Sequence, residues 1–244
     1  MLKKFLGAAA STVILFGASQ ASAAVLVIDA FDGEQLVQDA PSTDVANNDQ
    51  VADSGVLGGY RDLAVKNTYA TGNNRGATEL RVTDGMIKFS NISGAKGTGT
   101  LTYDGDDDAT VVNTTGLGGI NLLIGTDPYF YFGLPGGDDT FDNIASFTAT
   151  VWDMAGNTFT YTEVLEPGFS QELAFSAFTG IDFSQIGALQ FFISTAEHGP
   201  SVDGALNLIE VRAGDIAPIP LPASGLLLLG GFGGLAALRR RKKA

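Results

Sequence analysis

Along most of this chain apolar residues return at every second position, and no long stretch carries the three-to-four-residue spacing of an amphipathic helix. The segment TELRVTDGMIKFSN (residues 78–91) is the clearest case. Two alternating, β-rich runs meet at Asp84-Gly85, a dipeptide suited to a tight hairpin turn. ASFTATVWDMAGNTFTYTEVL (145–165) reads as a second hairpin. AVLVIDAF (24–31), KGTGTLTY (96–103), SQELAFSAF (170–178), ALQFFIS (188–194) and ALNLIEVRA (205–213) read as strands. GINLLIG and PYFYFGL, within 119–134, add one or two buried ones. Residues 38–54 are polar and read as a loop. Nine or ten strands with almost no helix predict an all-β domain, a single antiparallel β-sandwich of jelly-roll type.

The register of the second hairpin decides what its faces carry. A turn of two or four residues sets Trp152 opposite Phe159, Thr150 opposite Tyr161 and Thr148 opposite Glu163. Two placements follow. With Trp152, Phe159 and Tyr161 outward, they form an aromatic platform beside hydroxyls and a carboxylate, a surface on which the C–H face of a sugar ring can lie. With the same residues inward, they are core and the threonines look outward. A three-residue turn shifts the register and breaks the platform. In PYFYFGL the alternation sets Phe130 and Phe132 inward and Tyr129 and Tyr131 outward, which makes Tyr129 a further candidate ligand contact.

Both ends of the chain depart from this pattern. Met1-Leu2-Lys3-Lys4, the apolar run 5–17 and the small-x-small triplet Ala21-Ser22-Ala23 read as a secretory signal peptide over 1–23. An N-terminal anchor that is kept is the alternative. Residues 217–244 hold three alternating prolines, an apolar helix-forming run over 224–238 and the basic cluster Arg239, Arg240, Arg241, Lys242 and Lys243. Fourteen apolar residues, 225–238, make a helix of roughly 21 Å, short for a hydrocarbon core of about 30 Å. Removing both ends leaves a body, 24–216, with 7 cations against 27 carboxylates, a formal charge of −20. That charge excludes nucleic acid as a partner. The absence of cysteine excludes disulfides and thiolate chemistry.

Ile219-Pro220-Leu221-Pro222-Ala223, followed by the apolar run and the basic cluster, resembles the PEP-CTERM class of bacterial sorting signals, in the variant whose motif reads Val-Pro-Leu-Pro-Ala. The resemblance covers about the last 27 residues. It implies cleavage by signal peptidase, transient anchoring in the inner membrane of a Gram-negative cell and handling by an exosortase-type enzyme. It also implies delivery to the cell surface or to an exopolysaccharide matrix. A plain C-terminal membrane anchor is the alternative. In the body, Gly58-Gly59-Tyr60-Arg61-Asp62-Leu63, together with residues 181–191 and the strand at 206–210, is similar to jelly-rolls of the galactose-binding or carbohydrate-binding-module sort. That likeness implies a fold and transfers no site.

The candidate chemistry is sparse. Asp104, Asp106 and Asp108 alternate as in a Ca²⁺ loop, but Ala109 and Thr115 stand where an EF-hand needs Gly and Glu. A Ca²⁺ site outside that pattern is the remaining expectation, with Asp29, Asp32 and Glu210 as a second oxygen set. His198 is the sole histidine, in a loop signal, and no nucleophile elbow is present, so no catalytic residue is expected. The expected function is a non-enzymatic exported surface protein that binds polysaccharide. A purely structural or adhesive matrix protein is the first alternative, and a glycan-cleaving enzyme with two facing carboxylates is the second.

Overall fold

The computed structural model describes residues 25–40, 47–68, 76–135, 141–165 and 171–213. The expected signal peptide and the sorting segment, with its motif, helix and basic cluster, lie outside the described residues. No described helix is long and apolar enough to cross a membrane.

The described residues are all-β, with antiparallel pairing throughout and only three single-turn 3₁₀ helices. The strands are β1 (Val25–Asp29), β2 (Gln35–Asp39), β3 (Asn47–Ala52), β4 (Tyr60–Asn67), β5 (Thr78–Thr83), β6 (Met86–Asn91) and β7 (Gly97–Tyr103). They continue with β8 (Pro128–Gly133), β9 (Ala145–Asp153), β10 (Thr158–Leu165), β11 (Glu172–Ala174), β12 (Ile186–Ser194), β13 (Asp203–Leu206) and β14 (Leu208–Ala213). A six-stranded sheet runs in the order β10-β9-β12-β7-β4-β3. Two four-stranded sheets, β1-β14-β8-β11 and β13-β6-β5-β2, cover its inner face.

Period-two alternation builds the core. From the six-stranded sheet, Leu63, Val65, Leu101, Tyr103, Phe147, Ala149, Val151, Leu189 and Phe191 point inward and are buried. Phe130 of β8 meets them at the centre, with ring centroids 5.7 Å from Phe191, 4.7 Å from Phe175 and 5.8 Å from Phe178. Phe132 packs edge-on against Phe147 and Phe191, both at 5.3 Å. Leu80 and Phe89 of the other small sheet close over Gly99, where a Cβ would sit 2.9 Å from the Phe89 ring.

Three local expectations are corrected. Residues 38–54 are not one loop, since β2 ends at Asp39 and β3 spans Asn47–Ala52, pairing with β4. The polarity there is that of an exposed edge strand. Residues 119–125 form no strand. Both edges of β12 are taken by β7 and β9, leaving Ile120 a single bridge to Ile186. The last strand breaks at Asn207, whose N–H donates to the Gly133 carbonyl (3.0 Å), so that β13 and β14 serve different sheets.

One polar cluster sits inside the apolar packing. Arg61 points inward from β4 with no solvent exposure. Its Nη1 donates to both Asp29 oxygens at 3.0 Å, its Nε to Gln35 Oε1 at 2.9 Å and its Nη2 to the Gly33 carbonyl at 2.6 Å. Tyr103 Oη donates to Asp29 Oδ2 (2.9 Å), and the Phe31 N–H to Asp29 Oδ1 (2.7 Å). Burial raises the Asp29 carboxyl, against the pull of the guanidinium, and raises the Tyr103 hydroxyl well above its ordinary value, so that Tyr103 stays a donor. Asp29 is thereby consumed, and Glu210 pairs with Arg212, so the set Asp29, Asp32 and Glu210 is not a free cation site.

Truncating one member of such a cluster leaves a buried charge without its match. Arg61→Met should lower stability by about 3–5 kcal/mol, read as a lower urea midpoint followed by fluorescence of the single tryptophan. Pairing it with Asp29→Leu should recover part of the loss.

Candidate functional site

Residues paired across antiparallel strands share a face, so the register of the six-stranded sheet lists what looks outward. One row crosses all six strands: Gln50, Asp62, Thr102, Gln190, Thr150 and Thr160. The neighbouring row reads Asn48, Ala64, Thr100, Phe192, Thr148 and Thr162. Trp152 stands two residues beyond Thr150, level with Ala188 and Thr158. At a strand spacing of about 4.8 Å each row is roughly 24 Å long.

These side chains hold one another. Gln190 Nε2 donates to Thr102 Oγ1 at 3.0 Å. The hydroxyls of Thr148 and Thr162 lie 3.1 Å apart, and those of Thr150 and Thr160 3.2 Å apart. Over the β4–β7 end, residues 108–112 rise beside the face. With Asp62, Ala64, Thr100, Thr102 and Gln190 they enclose a cleft of about 200 Å³.

Asp62 is 4% exposed, and its Oδ1 is the only buried side-chain polar atom among the described residues without a hydrogen-bond partner. Burial, and then the charges of Asp104, Asp106, Asp108 and Asp107, push its carboxyl up to about 7.

The aspartates above it do not form the expected Ca²⁺ ring. Asp104 accepts the N–H groups of Asp106 (3.1 Å) and Asn113 (2.7 Å). Asp106 accepts the Asp107 N–H and the Asn113 side-chain amide, and Asp108 accepts from Thr110. Each carboxylate caps its own loop, and no three acidic or histidine groups converge on a metal position among the described residues. Asx-turn bonding is the competing force, because short aspartate side chains satisfy nearby backbone N–H groups first.

The aromatic platform is corrected as well. The hairpin closes with three residues, 154–156. The Gly156 N–H donates to the Asp153 carbonyl (3.0 Å), Gly156 takes the left-handed conformation (φ 85°), and the Asp153 carboxylate accepts the Ala155 and Asn157 N–H groups. Trp152 therefore pairs with Thr158, while Phe159 faces Val151 and Tyr161 faces Ala149. Trp152 is outward with the threonines. Phe159 and Tyr161 turn to the other face and pack on Phe178, at 5.8 and 6.1 Å.

Phe130 and Phe132 are buried as expected, and Tyr129 is half-buried. Tyr129 lies on β8, in one of the covering sheets, beside Arg212 in register, and so belongs to a different layer from Trp152. His198 Nε2 lies 2.8 Å from Ser146 Oγ, and no carboxylate bonds its ring among the described residues. Asp62, Thr100, Thr102 and Gln190 were not singled out in the sequence. The visible signal was the alternation of Thr98, Thr100 and Thr102 and of Thr148 and Thr150, which marks a hydroxyl-bearing face.

No protein-family model and no curated protein matches the chain. Among solved structures it is similar to the carbohydrate-binding module CtCBM11, at 12% identity over 80% of this chain and 98% of that one, with a TM-score of 0.35. It is also similar to the enzymatically active domain of tailspike protein 4 of bacteriophage CBA120, at 12% identity over 74% of this chain and 19% of that one, with a TM-score of 0.26. Likenesses of this size decide neither ligand nor reaction.

A carboxyl raised in the folded state binds its proton more tightly there than in the unfolded chain. Its contribution is thus lost as pH rises from the unfolded value near 3.8 to about 7. Asp62→Asn removes that dependence. The melting temperature of the variant relative to the parent should climb between pH 4 and pH 8 and then level off, by the equivalent of at most about 4 kcal/mol. A constant difference across that range would contradict the assignment.

Proposed function

We propose that this chain is an exported, surface-sorted, non-enzymatic β-sandwich that binds polysaccharide along the outer face of the six-stranded sheet. The supporting observation is the row Gln50, Asp62, Thr102, Gln190, Thr150 and Thr160, an unbroken line of hydrogen-bonding side chains across six strands. Trp152 and Phe192 stand beside it on the same face. A sugar ring presents hydroxyls at its edge and C–H groups on its face, and it is matched by polar groups set next to a flat ring. A long strip suits a chain of sugars better than a single small molecule. The termini support the address: a signal-peptide pattern at 1–23 and the Ile219-Pro220-Leu221-Pro222-Ala223 segment with its apolar run and basic cluster.

A second reading, glycan cleavage, has one observation in its favour. Asp62 and Asp108 line the same cleft, the first raised to about 7 and the second held below its ordinary value by Thr110. A protonated and an ionised carboxyl at one site are the partners that glycoside hydrolysis uses. Incubation with the exopolysaccharide of the producing cells separates the two readings. Retention without new reducing ends supports binding, and release of oligosaccharides supports cleavage.

Two measurements test the main reading. The purified full chain should bind native exopolysaccharide in pull-downs, and Gln190→Ala should weaken that binding about threefold to tenfold, the worth of one or two hydrogen bonds. Phe159→Leu, on the opposite face, should leave it unchanged. Mass spectrometry of protein recovered from cells and medium should find a mature N-terminus at Ala24 and loss of the residues after the proline motif. Recovery of an intact 1–244 chain from cytosol would remove the sorting half of the proposal.

A further inference from the structure

The cleft at Asp62 holds a buried carboxylate for which the protein supplies no match. Elsewhere the buried carboxylates are answered from within the chain. Asp29 is held by Arg61 and Tyr103, Asp104 by two backbone N–H groups, and Asp153 by three backbone N–H groups and the Asn157 amide. Asp62 is as deeply placed, at 4% exposure, yet its Oδ1 has no partner. Its immediate neighbours in register, Gln50 and Thr102, carry no charge, and among the described residues no Lys, Arg or His lines the cleft. The wall brings further negative charge in Asp108, with Asp104, Asp106 and Asp107 behind it.

An uncompensated buried carboxylate is costly unless it is protonated or receives a cation. A divalent metal is a poor fit. Ca²⁺ takes six to eight oxygen ligands, and no three acidic groups converge here. A primary ammonium asks for less: three acceptors around one compact charge. The lining offers the Asp62 carboxylate and the hydroxyl groups of Thr100 and Thr102.

Resting on the reading of this face as glycan-binding, we infer that the cleft takes the free amine of a de-N-acetylated hexosamine, and that the polysaccharide bound along the face carries such amines. The body's formal charge of −20 argues the same way, because it repels uronic-acid and sulfated polymers and attracts a cationic one. Ionisation of Asp62 strengthens the contact as pH rises toward about 7, and loss of the amine's own proton weakens it again above neutrality, so affinity peaks in between. The groups acting on that titration are Asp104, Asp106, Asp107 and Asp108. β3, β7 and β12 present Gln50, Thr102 and Gln190, which do not titrate.

The test is calorimetric titration of the full chain, and of its Asp62→Asn and Asp107→Asn variants, with a glucosamine hexamer, its fully N-acetylated counterpart, a neutral glucose hexamer and spermine. The parent should prefer the glucosamine hexamer to the N-acetylated one by about tenfold, the worth of one hydrogen bond to a charged group. Asp62→Asn should abolish that preference, bringing the glucosamine hexamer down to the affinity of its N-acetylated counterpart. Asp107 is exposed and outside the cleft, so Asp107→Asn removes the same charge and should keep the preference. Equal loss in both variants overturns the site, because it reports bulk attraction alone. Equal affinity for the amine and N-acetyl forms overturns the amine and leaves glycan binding standing. Spermine binding as tightly as the glucosamine hexamer overturns the sugar. No binding of any oligosaccharide overturns the glycan reading itself.

Discussion

A guanidinium with no access to water needs a full set of acceptors, and in this sandwich that need sets the phase of the six-stranded sheet. Arg61 draws its acceptors from Asp29 at the end of β1, from Gly33 in the following turn and from Gln35 at the start of β2. Tyr103 of β7 closes the ring by donating to the same carboxylate. One side chain thus ties the first two strands to β4 and β7, across both layers. Slipping β4 by one residue would turn Arg61 to solvent and place Asp62 in the core opposite Asp29, a like-charge contact with no donor between the carboxylates. The register of β4 is therefore fixed by charge as much as by Leu63 and Val65.

The same alternation couples the interior to the outer face. Arg61 and Asp62 are consecutive, so the residue that completes the buried cluster forces its neighbour to look outward, level with Thr102. The two sites resolve the burial of charge in opposite ways. Inside, an aspartate accepts four hydrogen bonds from three donor groups and the protein gains rigidity. Outside, an aspartate is nearly as deep and is matched by none, and the loop above it adds negative charge rather than removing it. Folding alone would favour a neutral residue at position 62, and an unmatched group that persists on a surface otherwise built of hydroxyls and amides is what a site for an external donor looks like.

Much of the fold was legible because its signals are local. Alternation set out the strands at 78–91, 96–103, 145–165 and 188–194, and Asp84-Gly85 closes its hairpin with both residues at positive φ. What was not legible depends on partners distant in sequence. β3 opens with four polar residues, Asn47 to Gln50, and is a strand only because β4 offers it an edge. Residues 119–125 are apolar enough for a strand but find both edges of β12 occupied. The Trp152 register turned on one residue of loop length. Asp-Met-Ala-Gly-Asn contains the answer in Gly156 at the left-handed position and Asp153 as the cap, a pattern of three-residue closure that competes with the two- and four-residue turns. Asp104, Asp106 and Asp108 show the converse: a spacing that suggests chelation is used up by the backbone of its own loop. Asp62 carried no local signal at all, since nothing in Arg-Asp-Leu distinguishes a solvated aspartate from a buried one.

The loop aspartates are more than failed ligands. Asp104, Asp106 and Asp108 spend their hydrogen-bonding capacity on backbone N–H groups and on Asn113 and Thr110, which ties them to the loop. Hydrogen bonds hold Asp106 and Asp108 below the ordinary carboxyl value, so their charge persists at the pH where Asp62 titrates. A fixed negative wall over a carboxyl poised near neutrality makes the cleft's charge responsive to what enters it. An arriving cation lowers the cost of ionising Asp62, and the ionised Asp62 in turn holds the cation. Acidic surfaces are commonly read as devices for solubility, and most of this body's 27 carboxylates suit that reading. At Asp62 solubility has little bearing, because the group is almost wholly buried. There the charge has a direction, into the cleft and toward the line of threonines that leads away from it.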